Sequence, residues 1–150
     1  MSKKLDRISF ELGMINCFVE MVACGVKKMA ISPPLTPEDY QLVEPLSKKM
    51  VQAFGIKSHL DKSLLITDLQ TEDFTKGKWA ILYYKDDRIL EAYFNLKQKK
   101  EECERAGQYY KENRKKISRE FMHLLSYPED IIEKILAKES PDSPFILIDD

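Results

Sequence analysis

Glycine is scarce in this sequence, at five residues, and Gly13, Gly25, Gly55, Gly77 and Gly107 stand far apart. Neither a G-x-G-x-x-G fingerprint nor a P-loop can be written from them, so a glycine cradle for nucleotides is excluded. A G-x-S-x-G nucleophile elbow is missing as well. Histidine is scarcer still: His59 and His123 have no second histidine or cysteine at metal-ligand spacing. The three cysteines, Cys17, Cys24 and Cys103, are an odd number and too few for a disulfide framework. They point to free thiols and a cytoplasmic setting. Long apolar runs are lacking too. The longest candidate, Leu12 to Val26, carries Glu20 near its middle, whereas a membrane span needs about 18 uninterrupted apolar residues. Glu11, Asn16 and Glu20 also break the run that a secretion signal would need.

An excess of one charge is likewise absent: 24 Lys+Arg stand against 25 Asp+Glu, a formal net charge of −1. That balance argues against a generally basic nucleic-acid binder and against a highly charged disordered chain. What the sequence does have is apolar material, 43% of its 150 residues, enough for one core in a single domain spanning 1–150. Near-neutrality is a cancellation between regions. Residues 97–116 hold eight basic and four acidic side chains, whereas residues 128–150 hold two basic and seven acidic.

The first segment is the richest in pattern. Leu5, Leu12, Val19 and Val26 interleave with Ile8, Ile15, Val22 and Met29 at alternating steps of three and four, which places them on one helical face. This spacing predicts a helix from about Lys4 to Met29. A second apolar row, Phe10, Met14, Cys17, Met21 and Cys24, follows the same spacing. A helix apolar nearly all round is either buried in its domain or shared between a core and a partner.

Ser32-Pro33-Pro34 stops this helix, and Thr36-Pro37 starts another with a capping hydroxyl and a proline at the first helical position. Leu42, Leu46, Met50, Ala53 and Phe54 keep one face of it; Pro45 predicts a kink, and Gly55 a stop. Leu64–Thr67 and Trp79–Tyr84 read as two strands paired antiparallel, with Phe145–Ile148 available as a third. From Asp87 helix formers return, with strand pairing of 88–94 as the competing reading and a break near Gly107. Ser126 and Glu129 have capping-box spacing ahead of a short helix through Ile131, Ile132, Ile135 and Leu136. The expected fold is helix-dominated α+β, with five or six helices and a small two- or three-stranded sheet. Residues 140–150 form a tail or an edge strand in this reading.

No residue constellation specifies a reaction. Met14, Cys17, Met21 and Cys24 offer soft ligands, but Cys17 and Cys24 lie two helical turns apart, and no metal or other cofactor is expected. Lys111, Arg114, Lys115 and Lys116, interleaved with Tyr109 and Tyr110, are candidates for an anion-facing surface. The bland explanation is the solvated face of an amphipathic helix. The leading reading is an intracellular interaction module that self-associates, as a dimer, through Phe10, Met14, Cys17, Met21 and Cys24. The alternative is a small-molecule enzyme or ligand-binding protein whose pocket is lined by His59, Trp79, Tyr83, Tyr84, Tyr93 and His123.

Overall fold

Asp6 opens the first helix, α1 (Arg7–Ala23), by accepting a hydrogen bond from the Ile8 amide. The helix stops well short of Met29. Gly25 takes φ +78°, and the Val26 amide turns back to the Met21 carbonyl, so the chain leaves the helix there. Met29 instead begins a strand, β1 (Met29–Ile31). Thr36 caps α2 (Pro37–Phe54), which runs unsplit through Pro45 and ends on Gly55 in the left-handed region. The remaining elements are β2 (Lys57–Asp61), β3 (Ala80–Tyr84), α3 (Asp87–Arg105), α4 (Lys111–Leu124) and α5 (Glu129–Leu136). The computed structural model describes residues 6–69 and 75–137. Among these, five helices and one three-stranded antiparallel sheet make up a helix-dominated α+β fold.

The sheet order is β1-β3-β2, so the most apolar strand is central. All five residues of β3 are buried, and they alternate between two sides. Ile81 and Tyr83 join Ile15, Val19 and Val22 of α1 and Val43 and Val51 of α2. Leu82 joins Met29, Tyr93 and Leu96 of α3, and Ile117 and Phe121 of α4. Helices therefore cover both faces of the sheet. This explains why Trp79–Tyr84 reads as a continuous apolar run. Prolines 33 and 34 lack amide hydrogens to extend the β1–β3 ladder. The Ser32 hydroxyl bridges this stretch by accepting from the Ile81 amide, and Leu35 and Trp79 resume the pairing.

Two further expectations are corrected. Leu64–Thr67 is not a strand; β2 lies earlier, at Lys57–Asp61, so His59 sits in the sheet rather than in a loop. Among the described residues the third strand is Met29–Ile31; the expectation for Phe145–Ile148 lies outside them. The start of α5 is capped by Pro128 without a side-chain bond. Ser126 instead accepts from the Lys28 amide, tying the α4–α5 turn to β1. The apolar row of α2 faces outward, with Leu42, Leu46 and Phe54 exposed by 60%, 44% and 39%. The buried positions of α2 are Asp39, Val43, Ser47 and Val51. Ser47 is accommodated there because its hydroxyl pairs with the Tyr83 hydroxyl at 2.7 Å. Two other readings hold. Residues 88–94 are helical, started by an Asp86 cap, and Gly107, at φ +66°, separates α3 from α4.

Candidate functional site

The two apolar rows of α1 part company in the structure. Ile15, Val19 and Val22 are fully buried against the sheet and α2. On the opposite side Phe10 and Met14 are half-buried, while Cys17, Met21 and Cys24 are exposed, Met21 by 40%. The second row thus forms a surface face of methionine, phenylalanine and thiols. All three cysteines are free thiols, with Cys103 half-buried on α3.

The six residues expected to line a pocket are dispersed. Tyr83 is buried on the α1–α2 side and Tyr93 on the α3–α4 side, with burial pushing both phenols well above their usual range. Tyr84 is buried at the end of β3, and Trp79 packs edge-on to Tyr40 with the Lys62 ammonium over its ring. His59 meets Phe94 edge-on, 5.2 Å between ring centres. His123 is exposed on α4 and pairs with Glu129 at 2.7 Å; that hydrogen bond holds the Glu129 carboxyl below the usual range. Two shallow hollows, of about 240 and 220 Å³, gather one of the six between them, His123. Both fall below the roughly 300 Å³ where small-molecule sites begin.

The basic candidates are only partly assembled. Lys111, Arg114 and Lys115 line the smaller hollow with Asp68, Ile135 and Leu136; Lys116 does not. Arg114 pairs with Asp68 at 2.7 Å, and Asp68 also accepts from the Ser118 hydroxyl. Lys99 and Lys100 are paired with Glu120 and Glu104. Much of the positive charge that the sequence concentrates over 97–116 is therefore neutralised locally.

Sequence reasoning missed two polar clusters in the interior. In the first, Asp61 at the end of β2 accepts from the Tyr93 hydroxyl and from the Lys97 ammonium, at 3.0 and 3.1 Å. Lys97 also donates to the Ser63 carbonyl, and the Ser63 amide returns to Asp61. Each charged partner is satisfied, so the cluster fastens the β2 edge to α3 and leaves no group aimed at a ligand. Tyr93 and Lys97, four residues apart on one helix face, were the only sequence signal for it. In the second, Glu11 is 1% exposed on α1, and its Oε2 has no hydrogen-bond partner. Desolvation first, and the nearby Asp39 carboxylate second, push its carboxyl up to about 7.

Among the described residues, no group of three or more His, Cys, Asp or Glu side chains could hold a metal ion, and no helix is long and apolar enough to cross a membrane. No family model matches the chain, and neither curated proteins nor solved structures gave a match.

Proposed function

We propose that this protein is an interaction module that pairs with a second copy of itself through the outer face of α1. The observation carrying this reading is the outward row of Phe10, Met14, Cys17, Met21 and Cys24, of which Cys17, Met21 and Cys24 are exposed and Phe10 and Met14 half-buried. Five uncharged side chains at helical spacing leave α1 with a second apolar face after its first has built the core.

The row is also self-complementary. In an antiparallel pairing about a two-fold axis at Cys17, Phe10 faces Cys24 of the other copy, and Met14 lies within one residue's rise of Met21. Such an isologous contact closes as a dimer. Methionine suits this position because its flexible, polarisable thioether fills irregular gaps. A near-neutral chain adds little long-range repulsion between copies. The local pairing of Arg114, Lys99 and Lys100 with acids favours a protein partner over a nucleic-acid backbone. Three unpaired thiols suit a reducing, cytoplasmic setting.

Thiol cross-linking tests the geometry. A chain retaining Cys17 alone, with Cys24 and Cys103 changed to serine, should be converted largely to a covalent dimer by a short bis-maleimide. A chain retaining Cys103 alone should remain uncrosslinked. Equal cross-linking of the two chains, or none at Cys17, contradicts the proposed face.

A further inference from the structure

Glu11 lies on the buried side of α1, and its surroundings are poorly suited to a carboxylate. Asp39 of α2 approaches it with a second negative charge. Arg7, from α1 itself, is the nearest cation on its own helix, but its guanidinium is committed to Asp39, 3.0 Å from each carboxylate oxygen. Lys78, from the segment ahead of β3, is the other positive group acting on Glu11. The Oε2 atom is sealed from solvent without a donor. A protonated carboxyl tolerates this environment, because it carries no charge to solvate and does not repel Asp39. An ionised one does not: a buried charge lacking hydrogen bonds relieves itself by reaching water.

We propose that the first turns of α1 form a proton-controlled contact: they lie against α2 while Glu11 is protonated and detach when it ionises. The carboxyl's displacement to about 7 places this transition near neutral pH. Detachment at that position breaks the Arg7–Asp39 bridge and withdraws the Ile8 and Leu12 side chains from the α1–α2 core, while Ile15, Val19 and Val22 hold the rest of the helix. The device rests on observations separate from those for self-association, since Glu11 faces inward and the partner row outward; Phe10 of that row lies on the same first turns and moves with them.

Amide hydrogen exchange read as protection factors, which remove the intrinsic pH dependence of exchange, tests this directly. In the wild-type chain, amides of residues 11–15 should lose protection by roughly tenfold or more between about pH 5.5 and about pH 8, while α4 amides keep theirs. In Glu11→Gln the same amides should change by about twofold at most, because no charge forms. An equal loss in Glu11→Gln, or no loss in the wild type, overturns the proposal. Should Glu11→Gln fail to fold, carbon-13 titration of the Glu11 carboxyl in the wild type decides. A midpoint near 7 supports the device, and one in the ordinary carboxylate range refutes it.

Discussion

Replacing Lys97 with methionine should lower the unfolding free energy by about 3 kcal/mol at neutral pH. This is the lower end of the 3–5 kcal/mol expected when one partner of a buried ion pair is removed. The Asp61 side chain is 6% exposed and would keep only Tyr93 and the Ser63 amide as donors. Lys97, at 21% exposure, retains some water, which is why the lower end applies. Adding Asp61→Asn should recover most of the loss. The amide is neutral, so no unpaired charge remains in the interior. Urea unfolding followed by circular dichroism measures both. A loss below about 1 kcal/mol for Lys97→Met would mean that the pair behaves like a surface salt bridge.

The second large effect is on stability as a function of pH. Glu11 has a folded-state carboxyl raised to about 7 from an ordinary 4.5, so the folded chain binds the proton more tightly than the unfolded chain. Its favourable contribution is complete below about pH 4.5 and is lost as pH rises through 7. The loss amounts to roughly 3 kcal/mol at most, and local detachment of α1 caps it, since an ionised carboxyl that reaches water no longer bears the cost of burial. Glu11→Gln should flatten the stability profile over this interval and leave the variant more stable than the wild type at about pH 8. Urea midpoints across the range provide the check. A Glu11→Gln profile parallel to the wild type would assign the pH dependence to other groups.

How far the sequence carries can be traced element by element. The buried row of α1 is legible because Ile15, Val19 and Val22 keep the 3.6-residue period, but its end is not. Met29-Ala30-Ile31 continues the apolar rows, and only the left-handed Gly25 separates helix from strand. Strand β3 is legible because burial on both faces demands an unbroken apolar run. Strand β2 is not: Lys57-Ser58-His59-Leu60-Asp61 reads as polar, and it becomes a strand by pairing with β3.

In α2 the pattern misleads, since its strongest stripe faces water. Ser47 turns inward because Tyr83, distant in sequence, supplies a hydrogen-bond partner. The Asp61–Lys97 and Glu11–Asp39 relations are likewise tertiary. The Tyr93–Lys97 spacing marks one helix face, but nothing local in Asp61 marks it as the partner 36 residues away. By contrast, the two-row character of α1, on which the functional reading rests, was visible from spacing alone. The structure adds which row is covered.

Because Met14 is half-buried and Met21 exposed on that outer row, lysine at both positions should leave the core intact. Sedimentation equilibrium of the wild type beside Met14→Lys/Met21→Lys therefore tests the central claim most directly. The wild type should sediment at twice the 17.5 kDa chain mass, and the variant at the single-chain mass with an unchanged circular dichroism spectrum. A wild type that stays monomeric at high micromolar concentration, or a dimer that survives both lysines, would contradict the account.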